Sequence, residues 1–249
     1  MDTNQYRHVN WGPLTATLGS VLLILGPQLL VGFGLTIILL LVGWDATKID
    51  AWFSSGNNSQ FILNSAVAVV TLSALFWYLS FKKAHPRDIG LVKPKLLDIG
   101  YIILGAVAYV VLYLSVVSIV ANLVPTLNTE QAQELGFSRD TAEKGLILIF
   151  ISLVVLPPII EEIVVRGFML SGLRTKLAFW PAAIISSGLF GLAHLLGGEG
   201  GSVIWIATLD TFVLGLVLSY LREKTGSLWP AIGLHALKNF VAFTVLFVL

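Results

Sequence analysis

Two adjacent carboxylates, Glu161 and Glu162, and one guanidinium, Arg166, stand inside an almost unbroken apolar run from Pro157 to Leu170. A charge at bilayer depth costs roughly 2.5–3.5 kcal/mol on insertion scales, so such residues are rarely idle there. Glu162 and Arg166 are four apart and can pair along one helix face. Glu161 is turned about 100° away around the helix and is free for other work. The spacing therefore offers Glu161 as the chemical group, with the Glu162–Arg166 pair supporting its burial.

Other polar side chains interrupt the later apolar runs: His194, Asp210, His235, Lys238 and Asn239. Helix rise places Glu161, thirteen residues before Arg174, roughly 20 Å from the end of its helix. The same arithmetic puts His194 roughly 20 Å beyond Trp180 and Asp210 about 18 Å before Arg222. His235 and Asn239, four apart on one face, lie roughly 12 and 18 Å beyond Ser227. Four segments thus deliver polar groups to one layer. Lys238 can snorkel to an interface and is left outside the core site; Asp210 is read as site support, paired with Lys238 or a histidine.

With no cysteine in the chain and no Ser–His or Ser–Lys pair in evidence, this set points to water as the nucleophile. A carboxylate beside a histidine can take a proton from water, and His235 with Asn239 can donate to a developing oxyanion. The same residues admit a second chemistry, in which Glu161, His194 and His235 hold zinc with an open fourth position. Spacing does not choose between them, and the compact His-Glu-x-x-His pattern of many zinc proteases is absent.

What must position these groups is a membrane protein. The 249 residues are 56% hydrophobic and 12% charged, with mean hydropathy +0.88, where soluble domains carry about 25% charged residues. Apolar segments fall at about 13–43, 61–81, 98–124, 145–172, 180–196, 203–221 and 228–249. This predicts an all-α polytopic bundle of about seven to eight spans, one integral-membrane domain over 1–249. The first run is too long for a signal-peptide core; it carries Pro27 and reads as one long kinked helix, a two-span hairpin being the alternative.

If the N-terminus is cytoplasmic, that side receives Arg7, Lys82, Lys83, Arg87, Lys93, Lys95, Arg174, Lys176, Arg222 and Lys224. The other receives Lys48, Arg139 and Lys144. Ten against three is the positive-inside bias, which orients seven crossings with the N-terminus cytoplasmic; the membrane expected is the plasma membrane. The 127–143 stretch reads as an acidic external loop with one short surface helix. Gly188, Gly191, Gly197, Gly198 and Gly215 suit close helix approach, and Trp180, Trp205 and Trp229 suit interfacial anchoring.

Glu161-Glu162-x-x-x-Arg166, Phe190-x-x-x-His194 and His235-x-x-x-Asn239 resemble, in order and type, the motifs of the CPBP intramembrane proteases. This is the CAAX protease and bacteriocin-processing group, which includes the type II CAAX prenyl endopeptidases. The segment Phe212–Gly215 through Tyr220–Pro230 resembles the family's connecting region, so the likeness covers about 145–245. It implies that Glu161 and His194 activate water, that His235 and Asn239 face the oxyanion, and that Glu162 and Arg166 support the site. Asp210 matches no family motif.

The family has been described both as metalloproteases and as metal-independent glutamic proteases; the reading taken here is metal-free, zinc being the alternative cofactor. The implied partners are the lipid bilayer and a membrane protein or peptide cut near its C-terminus, reached through a cavity open to the cytoplasmic side; no nucleic acid is expected. The rival function is a non-proteolytic immunity or scaffold protein of the same family. A transporter would more typically show two related halves with interrupted helices, and no such repeat is visible.

Overall fold

A computed structural model describes every residue except 1–5, 7, 55, 130, 132, 134, 138–142 and 199–201, and the side chain of Glu143. Arg7 and Arg139 of the charge count, and much of the 127–143 loop, lie outside the described residues. Among the described residues there are eight helices besides a 3-10 turn at Pro86–Ile89: α1 Pro13–Leu41, α2 Ala46–Ser54, α3 Asn57–Phe81, α4 Leu97–Leu123, α5 Lys144–Arg174, α6 Phe179–Leu192, α7 Trp205–Thr225 and α8 Trp229–Phe247. Among the described residues there is no strand.

Six of these, α1, α3, α4, α5, α7 and α8, are long and apolar enough to cross a bilayer. The first apolar segment is a single helix with Pro27 inside it. The span expected at 180–196 differs. α6 has 14 residues, about 21 Å of rise, against a hydrocarbon core of about 30 Å. It stops at Leu192, and the chain goes on as a turn through His194. Non-helical backbone at membrane depth survives where protein covers it or where it lines a cavity; α6 packs along α7. The short α2 is an addition that the apolar runs did not announce.

Glycines let α6, α7 and α5 approach closely. A Cβ on Gly191 would come within 2.8 Å of the Thr208 carbonyl, and one on Gly215 within 2.9 Å of both Arg166 and Ser187. Gly188 has no such neighbour and faces open space. Trp180 and Trp205 are exposed near helix ends, as anchors should be. Trp229 instead donates Nε1–H to the Val92 carbonyl at 2.6 Å.

The ends of the helices define two faces. One holds Tyr6, the residues from His8 to Gly12 and the connections 82–96, 175–178 and 226–228. There the N-terminal segment is packed into the bundle: Trp11 stacks on Phe168 at 5.1 Å and donates to its carbonyl at 3.1 Å. The opposite face holds the described residues of the connections between α1 and α3, between α4 and α5, and between α6 and α7.

Candidate active site

The site begins with two prolines. In an α-helix the Leu153 carbonyl would accept from residue 157, and in a π-turn from residue 158; both are proline and have no N–H. The α5 helix answers with π-helical turns at Ile151–Val155 and Ile163–Met169 on either side of Glu161 and Glu162. An orphaned carbonyl at this depth needs a donor from elsewhere. Asn239 of α8 supplies it, Nδ2 to the Leu153 oxygen at 2.9 Å. That contact fixes α8 against α5 beside the carboxylates and uses one of the two amide N–H groups.

Glu162 and Arg166 pair at 3.0 Å, both side chains fully buried. The same carboxylate oxygen lies 2.9 Å from His235 Nδ1, so Glu162 orients the imidazole as well as holding the arginine. The Arg166 guanidinium lies over the Phe190 ring at 4.3 Å. His194 and His235 both meet that ring edge-on, at 5.1 and 5.9 Å, so Phe190 spaces the two imidazoles. His194 commits Nδ1 to the Phe190 carbonyl at 2.9 Å. Glu161 keeps 28% of its side chain accessible, with Oε2 3.9 Å from His235 Nε2.

Glu161, His194, His235 and Asn239 all line one cavity of about 430 Å³, with Leu153, Pro157, Asp210 and Lys238. No hydrogen bond joins Glu161 to His194; they meet across this space. Lys238 is not outside the site: its ammonium lies 2.8 Å from Asp210 within the cavity wall. Asp210 also accepts a hydrogen bond from the Tyr109 hydroxyl of α4. A lysine three residues from His235, on the way to Asn239, was the signal that could have placed it.

Against protein-family models, residues 143–241 match the type II CAAX prenyl endopeptidase Rce1-like family. That segment is similar to the Rce1-like family. The matched Rce1-like segment carries every motif residue named above, from Glu161 to Asn239. Among curated proteins, the chain is 31% identical over 141 residues to the uncharacterized protein YyaK of Bacillus subtilis, covering 54% of this chain and 44% of that one. It is 32% identical over 98 residues to an uncharacterized 24.3 kDa protein of Escherichia coli, covering 39% and 43%. The chain thus spans less than half the length of either relative. No solved structure matches it.

The matched segment, seen in place, bears on the zinc alternative and on the side from which the cavity is reached. Among the described residues no three His, Asp or Glu side chains converge as a metal set would require, and Glu161, His194 and His235 do not fit zinc as they stand. The cavity also reaches the other face. Its walls include Gln133 and Leu135 of the α4–α5 connection and Ala242, Phe243 and Leu246 at the far end of α8. Its mouth therefore lies opposite the N-terminal, lysine- and arginine-rich face, not on it.

Proposed function

We propose that the chain is an intramembrane endopeptidase that hydrolyses a peptide bond near the C-terminus of a lipid-anchored or membrane-inserted protein or peptide. The observation that carries this reading is the convergence of Glu161, His194, His235 and Asn239 on one cavity sunk to mid-helix depth. Glu161 takes a proton from a water held between it and His194, and the hydroxide adds to the scissile carbonyl carbon. In its doubly protonated form, with Nδ1–H on Glu162, His235 turns Nε2–H to the carbonyl oxygen as it becomes an oxyanion, and the second Asn239 N–H faces the same oxygen. The C–N bond then breaks, the proton on Glu161 passes to the leaving nitrogen, and a carboxylic acid and an amine remain. Glu162 keeps His235 oriented, and Arg166 offsets the charge of Glu162. No metal takes part.

The test is cleavage of membrane peptides by reconstituted protein. Glu161→Gln should lower the rate by about 10²–10⁴-fold with an unchanged melting temperature, and a chelator should leave the rate alone. Undiminished cleavage by Glu161→Gln would remove the proposed base. Loss of activity on chelation, restored by zinc, would replace the metal-free mechanism.

With the N-terminus cytoplasmic, as the ten-to-three charge bias supports, the cavity mouth is extracytoplasmic and so is the end of the substrate that enters it. The natural chain has no cysteine, so single cysteines report cleanly. Leu135→Cys should react with an impermeant maleimide on intact cells and Lys83→Cys should not; the reverse pattern inverts the assignment.

A further inference from the structure

Glu161 and Pro157 stand on a partition. On one side is the cavity just described. On the other is a narrower cleft of about 150 Å³ between α1, α3 and α5, again walled by Glu161 and Pro157, together with Gln28 of α1 and Asn64 and Thr71 of α3. Thr71 is tied to its own bundle, donating to the Leu23 carbonyl at 3.3 Å. Gln28 and Asn64 have no hydrogen-bond partner among the described residues. Gln28 is an exposed amide among apolar residues of α1, and Asn64 lies two turns into α3, past its polar start; they do not bond each other, so a contact between these two helices does not account for them.

A substrate supplies what they lack. Attack on a peptide carbonyl requires the segment around it to be extended, and unwinding inside a bilayer strips its N–H and C=O groups of partners. Each unsatisfied group there costs several kcal/mol. An Asn or Gln side chain presents one acceptor oxygen and two N–H donors, the same complement that an adjacent peptide strand would offer.

We propose that Gln28 and Asn64 form a subsite for the extended backbone on one flank of the scissile bond, while the other flank occupies the large cavity. The substrate strand then runs past Glu161 from cleft to cavity, which accommodates a bond inside a chain, not only a terminal one. This rests on reading Glu161 as the hydrolytic carboxylate.

The test separates the two ideas. The probe is a Leu/Ala peptide of about 20 residues in phosphatidylcholine vesicles, with a central Gly-Gly step to loosen its helix and one cysteine beside it. In a Glu161→Gln background, which binds without turnover, Asn64→Cys should form a disulfide with the probe. Val69→Cys, on the exposed side of α3, should not. Equal crosslinking at both positions, or none at Asn64→Cys, overturns the subsite.

With Glu161 intact, the Gln28→Leu/Asn64→Leu variant should cleave the full probe about tenfold more slowly, the worth of two lost hydrogen bonds. It should cleave normally a probe truncated on that flank. Equal slowing on both probes also overturns the proposal. Specific crosslinking without cleavage of either probe by the unaltered protein would keep the subsite and sink the hydrolase.

Discussion

Two buried glutamate–arginine pairs involve α5, their arginines eight residues apart or roughly 12 Å along the axis, and they are built differently. At the N-terminal face Arg174 grips Glu223 with both arms, Nε at 3.0 Å and Nη2 at 2.7 Å. Tyr6 adds its hydroxyl to the same carboxylate at 2.7 Å, and Arg174 Nη1 donates to the Leu177 carbonyl at 2.7 Å. Beside the cavity, Arg166 reaches Glu162 through one nitrogen. Its Nε and Nη2, and the second Glu162 oxygen, are buried without a partner among the described residues. A buried polar group left unpaired needs a reason. Here the carboxylate is divided between Arg166 and His235, so stability has been given up to orient an imidazole. The first pair closes a structure; the second holds the imidazole proposed above to face the oxyanion.

Removing each arginine tests that division. Arg174→Met leaves Glu223 buried without its bidentate partner, a loss of about 3–5 kcal/mol, read as a lower melting temperature in detergent. Cleavage per folded molecule should not change. Arg166→Met should cost less stability, because fewer bonds are broken, and should lower cleavage per folded molecule as the freed Glu162 draws on His235. Equal destabilisation with unchanged specific activity in both variants would erase the distinction.

The next test concerns the bond between α5 and α8. Asn239→Ala leaves the Leu153 carbonyl unpaired at a cost of about 1–3 kcal/mol. Pro157→Ala returns an N–H to the position that α-helical geometry calls for. The double variant should therefore be more stable than Asn239→Ala alone, measured by thermal unfolding. Losses that simply add would mean that Asn239 does not answer the proline-freed carbonyl.

The sequence made the bundle readable because bilayer thickness ties span length to apolar run length, and six of the seven runs became helices of spanning length. The seventh was over-read: glycines and apolar residues continue the hydropathy through 196, and hydropathy does not register that α6 ends at Leu192. The polar layer was readable because a charge among apolar residues is conspicuous. Gln28 and Asn64 were passed over for the opposite reason, since a neutral amide barely dents the hydropathy of a long span. Lys238 was misjudged because snorkelling and pairing with Asp210 depend on which way the side chain turns. The Asn239–Leu153 bond was latent in the Pro157-Pro158 pair, which frees a carbonyl that something must satisfy. The side on which the cavity opens depended on which halves of α7 and α8 line it.

The smallest effect belongs to the closed pair, and it comes from Tyr6. Burial holds its phenol above the ordinary value of 10.0; the Glu223 carboxylate adds to that rise and the Arg222 guanidinium opposes it. The folded protein thus retains the proton at a pH where the unfolded chain gives it up. The stabilisation that Tyr6 contributes is complete below pH 10 and is lost as pH rises above it towards the folded-state value. Tyr6→Phe removes one hydrogen bond to a charged group, about 1.5–3 kcal/mol before any relaxation of Arg174 onto the vacated oxygen; that relaxation should reduce the loss to about 1 kcal/mol. Melting temperatures of the two proteins should therefore differ by a constant amount from pH 7 to 9 and converge above pH 10. A difference that stays constant through pH 11 would mean that the phenol ionises alike in both states, and that the N-terminal segment is held by Trp11 and not by Tyr6.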